Sequence, residues 1–139
     1  MIFVKHCCAT LLLTGAIVIP AQGEVVVVVS TQSSMSSITY EQVSQLFLGK
    51  VKIFPDGSRA NPRNNADKQL YREFYSKVVH KTPDQLRAYW TRMIFTGRKK
   101  PFKSASSIEL KNLIKSDKTV IGYIDESEVD DSLKVLLSF

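Results

Sequence analysis

A run of hydroxyl side chains is the first candidate for binding chemistry in this sequence. Ser30, Thr31, Ser33 and Ser34 follow directly after the apolar run Val25 to Val29. Hydroxyl groups donate hydrogen bonds to small oxyanions, and the ligands of open α/β sheets collect beyond the carboxyl ends of the strands. We therefore predict that these hydroxyls belong to a small-anion site. The alternative is that they only stabilise their own loop.

Charge is distributed unevenly along the chain. Residues Lys50 to Lys118 include 17 Lys and Arg against 6 acids, a local excess of 11 positive charges (17 − 6), whereas Asp125 to Asp131 contains 5 acids. Such a positive field concentrates anionic partners, whether small oxyanions, acidic lipid head groups or polysaccharides. Because no nucleic-acid-binding motif accompanies the charge, we do not expect nucleic acid as a partner. For any single cation, the alternative is a solvated helix face.

Catalytic and metal-binding patterns are missing from the sequence. His80 is the only histidine after residue 23, and its predicted place at a helix end suits an interaction with the helix dipole. The sequence contains no HExxH motif, no P-loop and no recognisable Ser-His-Asp arrangement. Cys7 and Cys8 are the only cysteines. We therefore expect no enzymatic activity, no metal site and no cofactor.

The first 23 residues have the pattern of a secretory signal peptide. Lys5 provides a basic start, Leu11 to Ile19 provide a short apolar core, and Ala21 and Gly23 place small residues at the positions that precede a cleavage site. The alternative, a retained membrane anchor, fits less well because Pro20 interrupts the uncharged run. We predict a signal peptide over residues 1–23, cleavage after Gly23, and a periplasmic domain over residues 24–139.

The remaining chain alternates strand-like and helix-like segments. Three strands are predicted, at Val25 to Val29, Val120 to Ile124 and Leu133 to Leu137, and the first is apolar throughout, as in a central strand buried on both faces. Four helices are predicted, beginning near Thr39, Asn65, Thr82 and Ser106; all but the second have a capping box. This alternation predicts an α/β domain with a mixed sheet flanked by helices.

Packing residues can be predicted from helix periodicity and from two glycines. The third helix has a core stripe made of Leu86, Tyr89, Trp90, Met93 and Ile94. Gly49 follows the first helix where a left-handed cap is expected. Gly122 interrupts a strand, which predicts that a helix approaches the sheet closely at that point.

Two motifs carry a resemblance to a known family. The segment Leu46 to Val51, followed by Phe54 and Asp56-Gly57, is similar to the Ile-Phe-x-Gly-Lys-Ile motif and later Asp-Gly of phosphate ABC transporter substrate-binding proteins. Gly122-Tyr123 matches their late Ile-Gly-Tyr element. The resemblance covers nearly all of residues 24–139 but only one lobe of a two-lobed protein. It implies a single lobe of a type II periplasmic-binding-protein fold, with phosphate or a similar oxyanion as the ligand.

The resemblance also suggests a ligand site. In that family an Arg near a strand end and a Ser-Gly-Thr helix start hold the phosphate; Arg63 lies where the Arg is expected, and the Ser-Gly-Thr is absent. Asn64 and Asn65 can cap the helix that follows and donate N–H groups to an anion. Asp67 opposes this role, since it would be the helix's own anion and repel a second one. The predicted ligand-binding residues are Ser30, Thr31, Ser33, Arg63, Asn64 and Asn65.

Two functional hypotheses follow. The first is a periplasmic oxyanion-binding protein that serves a membrane permease or a sensor kinase. One lobe leaves its ligand half exposed, which weakens charged hydrogen bonds, so binding would be weak unless a partner or a homodimer supplied the second wall. The second hypothesis is an accessory protein of a cell-envelope complex that uses the lobe as a scaffold and binds no ligand.

Overall fold

The computed structural model describes residues 16–17 and 23–139, so most of the predicted signal peptide lies outside the described residues. Its regular elements are β1 (Val25–Ser30), α1 (Tyr40–Phe47), β2 (Asn61–Pro62), β3 (Asn64–Asn65), α2 (Lys68–Lys77), α3 (Pro83–Phe95), β4 (Ser104–Ala105), α4 (Ser107–Ser116), β5 (Val120–Asp125) and β6 (Leu133–Ser138). None of the helices in the described ranges is long and apolar enough to span a bilayer.

A four-stranded sheet in the order β2-β5-β1-β6 forms the centre of the fold. β1 runs antiparallel to both of its neighbours, β5 and β6, while β2 runs parallel to β5. Every residue of β1 is buried, which confirms the predicted central strand. The strands β3 and β4 form a separate short parallel ladder. The mixed sheet with flanking helices confirms the predicted fold class.

Helices cover both faces of the sheet. On one face α1, α2 and α3 share a core cluster with the odd-numbered valines of β1, and on the other face α4 shares a core cluster with Val26 and Val28. A Cβ atom at Gly122 would lie 2.7 Å from Leu110 Cδ2. This close approach of α4 to β5 needs a residue without a side chain and confirms the prediction made for Gly122.

The helix ends agree with the sequence at most positions. All three predicted capping boxes are present, at the starts of α1, α3 and α4, and Gly49 has φ +67 at the end of α1. The start of α2 was predicted too early. Asn64 and Asn65 form β3 instead, and Asp67 is the residue that caps α2.

One predicted core residue of α3 lies outside the core. Leu86 and Trp90 are buried, and Tyr89 and Met93 pack against the core from its border. Ile94, however, is 56% exposed. Each residue turns about 100° around a helix, so Ile94 lies about 40° from Trp90, on the opposite side of it from Met93. This places Ile94 at the margin of the stripe, in the last turn of α3.

Candidate functional site

The predicted site residues do not lie together: the hydroxyls lie beside the start of β5, whereas Asn64 and Asn65 lie further along it. Val25 of β1 pairs with Asp125 of β5, and Val28 pairs with Gly122. The end of β1 therefore lies beside the start of β5, about 17 Å along the sheet from the edge where β5 ends. We call the edge where β5 ends the carboxyl edge. The prediction that the hydroxyls after β1 would lie there is wrong, because β1 is the antiparallel strand.

The hydroxyl groups after β1 stabilise their own loop. Ser30 and Ser33 are only 2% and 8% exposed. Ser30 Oγ accepts a hydrogen bond from the Gln32 N–H at 3.1 Å, and Ser33 Oγ accepts one from the Met35 N–H at 3.2 Å. Thr31 is exposed on the surface of the loop. The oxygens of both buried serines thus serve as turn caps.

A small pocket beside this loop combines hydroxyls with two cations. This hydroxyl pocket has a volume of about 160 Å³ and is lined by Gln32, Ser33, Ser34, Ser58, Arg59, Lys118 and Thr119. A carboxylate adjoins it, because the hydroxyls of Ser34 and Ser58 both donate to Asp56. These bonds lower the pKa of Asp56 to about 2. The cations of the pocket are Arg59 and Lys118, neither of which was among the predicted ligands.

Arg63 is not among the residues that line the hydroxyl pocket. Its backbone N–H donates to the Ile121 carbonyl at 2.9 Å, which extends the pairing of β2 with β5. Its Nε is buried and has no hydrogen-bond partner among residues 23–139. The pKa of Asp117 is lowered mainly by a hydrogen bond from the Thr119 hydroxyl, with a smaller contribution from the charge of Arg63.

The side chain of Asn64 is engaged entirely within the protein. Its Oδ1 accepts hydrogen bonds from the hydroxyls of Tyr75, at 2.9 Å, and Tyr123, at 3.3 Å. Its Nδ2 donates to the Phe102 carbonyl at 3.3 Å. Burial is the main cause of the raised pKa values of both tyrosines, so their hydroxyls stay protonated and act as donors. Asn64 therefore joins α2, β5 and the segment before β4.

Asn65 plays the same role one residue later. Its Nδ2 donates to Ser107 Oγ at 3.0 Å and to the Tyr123 carbonyl at 3.1 Å, and its Oδ1 accepts from the Asp67 N–H at 2.9 Å. Asn65 is only 2% exposed. The two amides predicted as ligand donors thus hold the carboxyl edge together, and both residues are almost completely buried.

The N-terminus of α2 is occupied by a carboxylate of the chain itself. Asp67 Oδ1 accepts hydrogen bonds from the backbone N–H groups of Gln69, at 2.8 Å, and Leu70, at 3.0 Å. Free N–H groups at such a position are what bind a phosphate in other proteins. The structure agrees with the prediction that Asp67 serves as the anion of this helix.

A cleft lies directly in front of this helix start. This acidic cleft has a volume of about 350 Å³ and is lined by Gly23, Asp67, Gln69, Leu70, Glu73, Ser107, Asp125, Ser127 and Glu128. Four of these residues are acids and none is Lys or Arg. The pKa of Asp125 is lowered because the Ser127 hydroxyl and N–H donate to its carboxylate. Across residues 16–17 and 23–139, no acidic or histidine cluster has the arrangement of a metal site.

A cavity larger than the acidic cleft has the opposite charge. This basic groove has a volume of about 750 Å³ and is lined by Gly49, Val51, Lys52, Ile53, Gly57, Arg59, Ala60, Asn61, Pro62, Arg98, Lys99, Lys100 and Phe102. Five of the lining residues are Lys or Arg and none is an acid. The sequence indicated the excess of cations, but not that residues 52–59 and 98–100 would face one groove.

Three solved structures share this fold over part of their length. An ABC-type phosphate transport receptor from Vibrio cholerae matches with a TM-score of 0.63 and 15% identity, over 82% of this chain and 45% of that one. PstS from Borrelia burgdorferi matches with a TM-score of 0.60 and 14% identity, over 82% and 46%. A protein from Clostridium perfringens solved with bound phosphate matches with a TM-score of 0.61 and 16% identity, over 82% and 44%.

These comparisons concern the fold. No protein-family model matches the sequence, and no curated protein matches it either. The chain spans less than half the length of the solved proteins that it matches. It therefore has the fold of one lobe of a phosphate ABC transporter substrate-binding protein.

Proposed function

We propose that this chain is an exported docking protein of the cell envelope, which uses the lobe as a scaffold and does not capture phosphate at its carboxyl edge. The proposal depends on one observation: the Asp67 carboxylate already accepts hydrogen bonds from the N–H groups at the start of α2. A second anion at this helix start would have to displace a covalently attached one.

Electrostatics in the acidic cleft support the proposal. Its lining includes the carboxylates of Asp67, Glu73, Asp125 and Glu128 and no cation. Like charges that share a site disfavour one another, so the cleft repels a phosphate. The amides that could have offset this repulsion, Asn64 and Asn65, donate to other groups of the protein.

The basic groove supplies the docking surface in this proposal. Its five cations attract an anionic partner, and Ile53 in its wall is 55% exposed, which adds apolar contact area. Export follows from the proposed signal peptide over residues 1–23, and the domain proper is residues 24–139. The anionic partner is then a component of the envelope.

A thermal unfolding titration tests the docking proposal. If phosphate bound only the native state, about 100-fold more of it than the dissociation constant would add about 2.7 kcal/mol to the free energy of unfolding. We expect phosphate and sulfate to have no effect beyond that of chloride at equal ionic strength. A rise in melting temperature specific to phosphate would contradict the proposal.

A second candidate function is oxyanion binding in the hydroxyl pocket, where Arg59 and Lys118 lie beside Ser33. The volume of about 160 Å³ suits a single small anion. In this case phosphate would raise the melting temperature of the unchanged chain and of Arg63→Gln, but not of Lys118→Gln, because Lys118 lines the hydroxyl pocket and not the basic groove. The reverse pattern, with loss only in Arg63→Gln, would restore the site predicted from the sequence.

A further inference from the structure

The last turn of α3 presents two adjacent apolar side chains to solvent. Ile94 is 56% exposed and Phe95 is 87% exposed. Arg98, Lys99 and Lys100 follow immediately in the sequence. We call residues 94–100 the basic tip. Exposed large apolar residues that lie together and are bordered by charge mark an interaction surface more often than scattered single ones.

The charge around the basic tip has one sign. Residues 85–108 contain six Lys or Arg and not one Asp or Glu. Three of these cations, Arg98, Lys99 and Lys100, also line the basic groove. The tip and the groove therefore form a continuous positive surface, with Ile53, Ile94 and Phe95 as its exposed apolar residues.

Two acids of the acidic segment, Asp125 to Asp131, are already engaged within the chain, which makes them poor candidates for covering this surface in a second copy. Asp130 of the acidic segment already pairs with Lys111, at 2.9 Å, and approaches Lys115 at 4.0 Å. Asp125 accepts hydrogen bonds from Ser127. Breaking these contacts would offset part of what a new contact could contribute, whereas an external anion brings no such loss, so we take the external anion as the partner.

We propose that the basic tip docks this chain onto an anionic phospholipid surface. Ile94 and Phe95 enter the boundary between head groups and acyl chains, and Arg98 and Lys100 meet the lipid phosphates. Mixed basic and apolar surfaces bind in this way, and aromatic rings favour the membrane interface. The inference depends on the proposed docking function, for which it names the partner.

Shape favours a bilayer over an acidic protein as the partner. Protein interfaces gain most from side chains that fill well-packed pockets, so a rigid partner would need a pocket built for Phe95. A fluid bilayer can accommodate protruding apolar side chains without a preformed pocket. The 87% exposure of Phe95 at the end of a helix fits the deformable surface better.

Vesicle titration tests the proposal. The purified chain is mixed with phosphatidylcholine vesicles that contain or lack phosphatidylglycerol, and the bound fraction is measured by sedimentation. We expect binding only to the anionic vesicles, at about 0.1 M salt, and its loss near 1 M, where charges are screened over about 3 Å. All variants share the same N-terminus, so its contribution to binding cancels when they are compared.

Variants distinguish the contribution of the basic tip to vesicle binding from that of the rest of the protein surface. Arg98→Gln with Lys100→Gln should weaken binding about 25-fold, since each cation near an anionic membrane contributes about fivefold. Phe95→Ser should weaken it about tenfold. The matched controls are Ile108→Ser, at a residue 75% exposed on α4, and Lys77→Gln, at a cation paired with Glu73. Neither control should change binding.

A fluorescent variant reports on insertion directly. Phe95→Trp should show a blue-shifted emission with anionic vesicles and quenching by brominated lipids. Absence of vesicle binding at low salt, or equal losses in Phe95→Ser and Ile108→Ser, would overturn the proposal. The proposal would also be overturned if the chain bound an acidic protein through Arg98 and Lys100 but did not bind vesicles. None of these results bears on the thermal unfolding titration with phosphate, which tests the docking function separately.

Discussion

The carboxyl edge and the basic groove differ in what their polar side chains do. At the carboxyl edge the side chains of Asn64, Asn65 and Asp67 form hydrogen bonds with other parts of the chain. The five cations of the groove form no ion pair with any of residues 23–139. Polar groups that are bonded internally build the fold, whereas charges left facing solvent are available to a partner. The two regions should therefore respond differently to substitution.

Replacement of Asn64 should have the largest effect. Asn64→Ala leaves the buried hydroxyls of Tyr75 and Tyr123 without their acceptor. Each unsatisfied buried group costs about 1–3 kcal/mol, so we expect the free energy of unfolding in urea to fall by about 3 kcal/mol. Arg98→Gln, in the groove, should change it by less than about 0.5 kcal/mol. Equal losses in the two variants would remove the distinction between the regions.

Replacement of Asp67 should lower the stability by a smaller amount, and added phosphate should change the size of this loss. Asp67→Ala removes the cap of α2 and should cost about 1 kcal/mol in thermal unfolding. The N–H groups of Gln69 and Leu70 then become free, so added phosphate should recover part of this loss. Asp67→Asn, which still caps the helix, is the control and should keep most of the stability. A loss in Asp67→Ala that phosphate leaves unchanged would mean that the cleft repels anions without Asp67.

The sequence was a better guide to the fold than to the site. Local signals sufficed for the capping boxes at Thr39, Thr82 and Ser106, and the unbroken valine run identified β1 as central. These features depend on neighbours in the sequence. The direction of β1 depends on strands about 90 residues away, and no local pattern encodes it. The hydroxyl loop was therefore predicted at the wrong edge.

The amides show a second limit of sequence reasoning. Asn64 and Asn65 have the same donors and acceptors whether they bind a solute or hold the protein together. Only the positions of Tyr75, Tyr123 and Ser107 decide between these roles. The sequence did predict the role of Asp67, because a carboxylate beside a helix start acts on N–H groups two or three residues away.

Arg63 belongs to neither region, and its replacement should have a small effect. Its Nε is buried without a hydrogen-bond partner among residues 23–139. Arg63→Met keeps the apolar stem and removes that unsatisfied group, so stability in urea should stay the same or rise by up to about 1 kcal/mol. Arg63→Ala, which also removes the stem, is the control and should be less stable than Arg63→Met. A large loss in both would reveal a structural role for the guanidinium.

Replacement of Asp130 should give the smallest effect, one that depends on pH. Bonds from the Ser132 hydroxyl, the Lys111 ammonium and the Ser132 N–H lower the pKa of this carboxyl in the folded protein. Folding therefore favours the ionised form, and the stabilisation is complete above the unfolded pKa of about 4 and is lost as pH falls below it. Asp130→Asn should melt slightly lower than the unchanged chain near pH 7, and the difference should shrink below about pH 4.

The exposed neighbour of Asp130 provides the control for this measurement. Asp131→Asn should melt like the unchanged chain near pH 7, because no hydrogen bond or ion pair within residues 23–139 involves the Asp131 side chain. If both variants behaved alike, the acidic segment would act through its overall charge and not through specific pairs. Its carboxylates would then be free to meet the basic groove of another copy, and association of the chain with itself would have to replace the lipid surface as the expected contact.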